Sequence, residues 1–416
     1  MYRCTSCAPG SNTLIKGTQR MNTKLTAMAA AVVATAGLAQ AGSDLSLARS
    51  HDLHNDASQY DALLAQNNLS NVKVKAQVQA RYQYNNRDEA SLGDNDTTLG
   101  FSLRRTKVEV SGDVTDNISA KVKFAFSRSS GAAALEDAYG TWQVNEDLKL
   151  KIGQFKQQII REETVSSSRQ LLVERSAVNE TFNQNFSQGI EAHFGGDAWR
   201  GAIGFTDGFG SANTAFNSSS EADYALNARF EFLFGDAEWD QFKQFTSWRG
   251  SNTGSMLGAG IAFQTMGETN PAASMETDMT TATIDYSFVG DGWNFYAAGI
   301  WQNVDTGTTD NDDIGVVAQA GVFVTEQDEL FGRWDGIFPD SNRMNDEDFN
   351  ALAFGWNHYF VAESHAAKFT LQLDYYLDAS DSASTIVSTS SSGGHNLLSS
   401  TEDGQFGLTA QMQFLF

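Results

Sequence analysis

The sequence predicts an all-β protein, a transmembrane antiparallel β-barrel of about 16 strands, and three observations carry that expectation. From Val72 to Tyr84, the apolar or aromatic residues Val72, Val74, Ala76, Val78, Ala80, Tyr82 and Tyr84 alternate with Lys73, Lys75, Gln77, Gln79, Arg81 and Gln83. Successive strand side chains point to opposite faces, so this stretch offers one face to lipid and one to a polar lumen. The chain closes on QFGLTAQMQFLF, where Phe406, Leu408, Ala410, Met412, Phe414 and Phe416 take every second position and only Leu415 interrupts the polar face. Between these ends, strand-like segments are joined by connections that alternate between short turns and long polar loops. No apolar run reaches the roughly 18 residues that a spanning helix needs.

Taken in order, residues 1–20 fit no part of an export signal, and translation is expected to start at Met21. Lys24, the apolar stretch after it and the small-residue site Ala39-Gln40-Ala41 read as a signal peptide over 21–41. The lone Cys4-x-x-Cys7 lies upstream of that start, so the remaining 375 residues contain no cysteine. That suits a chain crossing an oxidising compartment unfolded. Residues 42–70 are polar, with Leu53, Ala57, Tyr60 and Leu64 at helical spacing, and are expected to form a periplasmic segment with a short helix. His51 and His54, beside Asp52 and Asp56, read as solvated linker, because no further ligands are spaced to complete a metal site. No metal or other cofactor is expected.

The barrel is expected over 71–416. Its clearest strands are 72–84, 118–128, 222–234, 281–288, 368–376 and 405–416. Weaker ones fall near 99–111, 135–144, 147–155, 188–195, 198–206, 256–265, 292–303, 314–324, 328–335 and 348–360. Short turns are expected at 112–117, 145–147, 195–197, 290–292 and 325–327, whereas the connection at 235–255 is too long for the pattern. The opposite connections, 85–98, 156–187, 207–220, 266–280, 304–313, 336–347 and 377–404, are long and polar, as extracellular loops are. They carry carboxylate runs at Asp310, Asp312 and Asp313 and again at Asp346, Glu347 and Asp348. Sixteen strands is a size at which a barrel holds an aqueous channel.

Without the leader the chain carries 24 basic and 51 acidic residues, a charge of −27, and nucleic acid is not an expected partner. The charge is uneven. Residues 72–175 hold 16 basic against 14 acidic residues, and residues 176–416 hold 7 against 33. Lys73, Lys75, Arg81, Lys121, Lys123, Lys149 and Lys151 all fall on the lumenal phase and, with Arg105, are the expected lining of an anion path. Arg104, Arg105 and Lys107 straddle a break in the alternation, so the three are not all expected to face inward. The long loop after the fifth strand adds Lys156, Arg161, Arg169 and Arg175, balanced by Glu162, Glu163 and Glu174. Charged linings in narrow, low-dielectric pores select ions. Catalytic signatures are missing: there is no GxSxG, HExxH, Walker-type loop or GxGxxG before a helix, and the six His are scattered.

Four features occur together: Arg104-Arg105, Asp137-Ala138-Tyr139, the run Ile152-Gly153-Gln154-Phe155 into a long loop, and Glu174-Arg175 within that loop. Over roughly residues 70–195 this set resembles the phosphate-selective porin O and P family. The resemblance implies a trimeric sixteen-strand porin whose third extracellular loop folds into the lumen as a constriction. A terminal aromatic such as Phe416 resembles the closing residue of bacterial outer-membrane barrels, which the insertion machinery reads.

The expectation is therefore a bacterial outer-membrane channel for passive diffusion of small hydrophilic solutes, with a preference for anions, phosphate being the candidate that the resemblance implies. Its expected partners are small inorganic anions or small polar solutes, outer-membrane lipid and lipopolysaccharide, the barrel-assembly machinery, and two further copies in a homotrimer. One rival is a general or cation-preferring porin, because the acidic loops surround the entrance. From another class, the rival is a surface β-protein that binds carbohydrate.

Overall fold

The computed structural model describes residues 72–86, 97–216, 218, 221–266, 276–387 and 400–416. The expected leader, the helix near 53–64 and the Cys and His pairs lie outside these residues. Sixteen strands close into one antiparallel barrel, each paired with its sequence neighbours and the first with the last. They are β1 (Val72–Asn86), β2 (Thr97–Asp113), β3 (Ile118–Phe126), β4 (Ala133–Gln143), β5 (Leu148–Lys156), β6 (Phe186–Gly195), β7 (Trp199–Thr206) and β8 (Tyr224–Gly235). The second half comprises β9 (Gly254–Met266), β10 (Thr277–Gly290), β11 (Trp293–Asp305), β12 (Asp310–Phe323), β13 (Asp328–Phe338), β14 (Phe349–Tyr359), β15 (Ala367–Tyr376) and β16 (Phe406–Leu415). Two short helices, α1 (Arg161–Thr164) and α2 (Ala177–Phe182), interrupt the β5–β6 connection, and a single 3-10 turn at Gln241–Lys243 interrupts β8–β9.

Alternation explains the strands. In β1 the side chains of Gln77, Gln79, Arg81, Gln83 and Asn85 are buried on the inner face, while Val74 and Tyr82 are exposed on the outer one. Closure satisfies every edge, which a bilayer demands because it offers no water to an unpaired backbone. β16 pairs with β1 from Gln77↔Leu415 to Asn86↔Phe406, and the Ala76 N–H donates to the Phe416 carbonyl at 2.6 Å. On the outer surface Trp142, Trp199, Trp293 and Phe416 are exposed near the short-turn end, and Phe101, Tyr224, Trp301 and Tyr375 near the long-loop end. Two such aromatic girdles mark the polar boundaries of a bilayer.

One glycine is dictated by the sheet itself. Gly153 in β5 has φ +128°, and a Cβ there would lie 2.2 Å from the Ala138 carbonyl oxygen of β4. Gly153→Ala therefore combines backbone strain with overlap and should cost about 3 kcal/mol or more. The check is a clear fall in the temperature at which the purified barrel loses its compact mobility in detergent gels. An unchanged transition would mean that β4 and β5 separate at little cost.

Three expectations need correction. The loop expected at 304–313 shrinks to residues 306–309, because β12 already begins at Asp310 and pairs it with Asp305. The acidic run therefore stands in a strand and not in a loop, and its carboxylates have partners: Asp312 accepts from the Trp301 indole at 3.0 Å, and Asp313 takes both arms of Arg343. Lys156 ends β5 instead of opening the loop. The long connection at 235–255 narrows to 236–253, and it is compact, with Phe242, Phe245, Thr246 and Ser247 buried.

Candidate functional site

Two β-bulges shape the inner wall between β1 and β5. Gln79 pairs with Arg105 but the adjacent Ala80 pairs with Leu103, so Arg104 is the extra residue. Lys123 pairs with Asp137 and Phe124 with Leu135, which makes Glu136 extra in the same way. A bulge turns two consecutive side chains to one face. Arg104, Arg105 and Lys107 consequently all reach lumenal carboxylates, Glu174 for the first two and Glu136 for the third. The expectation that they could not all face inward fails because strict alternation leaves no room for a bulge.

The β5–β6 connection, 157–185, bonds to inward-facing side chains on strands spread round the barrel. Gln77 of β1 donates to the Ser167 hydroxyl, and Gln413 of β16 to the Ser168 carbonyl. Lys368 of β15 donates to the Gln170 carbonyl and Asn357 of β14 to that of Leu171, each at 2.9 Å. Arg333 of β13 donates to the Glu174 carbonyl and Arg229 of β8 to that of Ile159. Apolar contact supplements these bonds. Ile159, Ile160, Leu171, Leu172, Val178 and Phe182 from the connection share one buried cluster with Tyr296, Ile300, Val317, Phe331, Ile337 and Phe349 from β11–β14. At about 1.5–3 kcal/mol per fully buried large apolar side chain, this cluster outweighs the individual hydrogen bonds as the anchor of the segment.

The carboxylates of this region are paired with cations or hydrogen-bond donors. The Glu174 carboxylate accepts from Arg81 at 2.6 Å, Arg104 at 2.5 Å and Arg105 at 2.6 Å. Burial would raise its pKa, but the three guanidinium groups override that and hold it well below the ordinary 4.5. Glu163 bonds to Lys156 and, at 3.2 Å, to Arg175. Burial likewise opposes its ionisation, and these two cations bring the carboxyl down to about 2. Glu162 accepts from the Ser176 backbone N–H at 2.7 Å, and its nearest cation is Arg333 at 4.0 Å. Arg161 donates to Ser287 at 2.7 Å and to the Phe242 carbonyl at 2.8 Å.

The expected wall cations divide into paired and unpaired. Lys75 lies 3.6 Å from Glu109, Lys121 bridges Glu109 and Asp137, Lys123 reaches Glu136, and Lys151 reaches Glu191. Lys151 also sits 4.3 Å from the centre of the Phe155 ring. Lys73, Lys149 and Arg169 form no salt bridge among the described residues. Arg169 is exposed, and Lys73 is exposed at the foot of β1.

Three cavities follow this wall. The one nearest the long-loop end, about 780 Å³, is lined by Arg104, Arg105, Lys107, Arg128, Lys156 and Arg175 against Glu136, Glu163 and Glu180. The next, about 640 Å³, shares Lys107, Lys156 and Phe186 with it and has seven basic lining residues against two acidic. The third, about 650 Å³ at the short-turn end, shares Gln158, Thr164, Ser166 and Arg169 with the second and adds Lys149, Arg161, Arg200 and Lys243. Shared lining joins them into a row. Arg104, Lys107, Arg128 and Arg200 escaped the sequence-based selection. For the first two, the RRTK run that breaks the alternation was the available signal.

The model of the family described as phosphate-selective porin O and P matches residues 72–393. No curated protein matches the chain. Among solved structures, the trimer form of OmpT from Vibrio cholerae is similar at a TM-score of 0.55 and 13% identity, covering 83% of this chain and 99% of its own. OprB from Pseudomonas putida gives 0.56 at 9% identity, covering 87% and 97%. OmpF from Salmonella typhi, in complex with daunomycin, gives 0.55 at 9%, covering 84% and 99%. At such identities the likeness concerns the fold.

Proposed function

The chain belongs to the phosphate-selective porin O and P family, a channel of the bacterial outer membrane, and from that premise we propose that it is an anion-preferring diffusion pore whose path follows the basic wall of β1–β7. The observation that carries this reading is the row of three cavities, in each of which basic lining residues outnumber acidic ones. The β5–β6 connection is the constriction: it contacts the wall from β8 round to β16 and, through Ser167 and Glu174, β1 and β2 as well, and the cavities lie between it and the wall of β1–β7. Solutes of either charge enter by diffusion, and the excess of fixed positive charge raises the local concentration of small anions. Inorganic phosphate is the first anion to test, given the family.

The mature chain, after loss of 21–41, assembles as a homotrimer in this reading, supported by the trimer form of the similar OmpT. Phe416 serves as the assembly signal; its backbone pairing with Ala76 ties the last residue to the closing seam.

A second reading has its own observation. Asp346, Glu347, Asp348, Asp378, Glu402 and Asp403 line a cavity of about 600 Å³ at the long-loop end, without one basic residue. That field favours cations at the entrance. The reversal potential of single channels under a potassium chloride gradient separates the two: a sign set by chloride supports the anion path, and a sign set by potassium replaces it with a cation-preferring porin. A fall in chloride current on adding phosphate would extend the reading to phosphate binding.

A further inference from the structure

The six other described connections at the short-turn end run from two residues (291–292) to seven (360–366), whereas β8–β9 takes 236–253. That length is spent crossing the barrel. After β8 the chain buries Phe242 against Met256 and Val289 at the feet of β9 and β10. Phe245 then joins the large apolar cluster, its ring 4.8 Å from that of Tyr296 on β11. Thr246 meets the Tyr359 hydroxyl of β14 at 3.0 Å, and Gln244 meets His365 beyond it at 3.1 Å. Trp248 packs among Phe323, Tyr359 and His365 at 5.5, 4.8 and 5.2 Å between ring centres. Arg249 donates to the carbonyls of Phe323 at 2.7 Å and Thr325 at 3.1 Å before the chain returns to β9. A hairpin has no need of such anchors on strands four to six places away.

The upper side of this strap touches the β5–β6 connection at two points. The Phe245 N–H donates to the Arg169 carbonyl at 3.2 Å, and Arg161 donates to the Phe242 carbonyl at 2.8 Å with its guanidinium 5.2 Å from the Phe245 ring. Arg169 and Arg161 both line the cavity at the short-turn end, and Arg169 also lines the middle one. We propose that the β8–β9 strap is a positioning element for permeation: anchored on β12–β14 by Trp248 and Arg249, it holds the backbone of Arg169 and thereby fixes an unpaired cation at the junction of two cavities.

The inference rests on the basic-wall reading for its sign, and on the strap contacts alone for its existence. Trp248 lines none of the three cavities, so its removal changes no charge and no contact with a permeating ion. Trp248→Ala, in the full-length protein reconstituted in planar bilayers, should lower the anion-over-cation permeability ratio by about twofold, the effect of one unit charge receding several ångström in water. Open-channel noise should rise as the Arg169 segment gains freedom. Trp248→Phe, which keeps a ring among Phe323, Tyr359 and His365, should restore both. If Trp248→Ala assembles poorly, Arg249→Ala releases the same end of the strap and is read in the same way. A folded Trp248→Ala barrel with wild-type noise and permeability ratio would overturn the proposal, whatever its stability. Wild-type channels that select potassium, together with a Trp248→Ala variant of altered noise, would remove the basic-wall reading and leave the strap as a positioning element.

Discussion

Glu174→Gln should produce a more anion-selective but less stable channel. One carboxylate accepts from three guanidinium groups, Arg81, Arg104 and Arg105, contributed by β1 and by the β2 bulge. Arg81 also donates to Gln411 at 2.7 Å and Arg105 to Gln79 at 2.9 Å, so the arginines keep their positions when the charge is neutralised. The cluster then gains one net positive charge on the cavity that Arg104 and Arg105 line. Removing one partner from a buried ion-pair cluster costs about 3–5 kcal/mol. The apolar anchors of the β5–β6 connection do not depend on Glu174, so the barrel should still assemble and unfold at lower temperature. The same carboxylate makes stability pH-dependent. Its native pKa lies well below the unfolded value near 4.5, so its contribution is complete above 4.5 and is lost as pH falls through the depressed native value. Glu174→Gln should flatten that acid limb in a melting series. A lowered melting temperature with an unchanged reversal potential would make the cluster a brace for the loop and nothing more.

The sequence made the wall legible but not the loop that leans on it. Period-two alternation is a local property, and every strand could be located from it to within a few residues. A bulge, by contrast, is defined by the partner strand. Nothing in LRRTKVEV alone states that Arg104 is the extra residue, since that emerges only when Gln79 and Ala80 find Arg105 and Leu103. The six carboxylates that neutralise most of the wall cations, Glu109, Glu136, Asp137, Glu163, Glu174 and Glu191, come from β2, β4, β6 and the β5–β6 connection, so a count along one strand overestimates the free positive charge. Composition misled at Asp310–Asp313, where charge suggested a loop although the run belongs to β12 and Arg343, 30 residues after Asp313, supplies that residue's partner. The β8–β9 strap was visible only as an excess of length. Its apolar anchors Phe242, Phe245 and Trp248 fall at every third residue, a spacing that is not the period of two of a strand, and they pack against different stretches of the wall, so no alternation marked them.

Charge reversal at Lys149 and Arg169, the two of the three unpaired cations that line the cavity at the short-turn end, should move selectivity the most. Lys149→Glu with Arg169→Glu replaces two positive charges by two negative ones in the cavity at the short-turn end, where neither side chain holds a carboxylate. Reversing Lys121 instead would set a third carboxylate beside Glu109 and Asp137 and would report mainly on folding. At about 6 Å from a passing ion in water, each reversal is worth roughly 1.4 kcal/mol before screening, about half that in 0.1 M salt, and little in 1 M salt, where charges are screened over about 3 Å. The double variant should therefore shift the permeability ratio towards cations by about tenfold at low salt and about twofold at high salt. Each single variant should carry close to half of the free-energy change, because the two charges act on the ion and not on one another. Conductance in 1 M salt should stay near the wild-type value, which checks that the barrel and the constriction are intact. If the double variant keeps wild-type selectivity at low salt, ions do not pass Lys149 and Arg169. The acidic cavity beside Asp346 and Asp403 would then govern entry, and a cation-preferring porin would be the better reading.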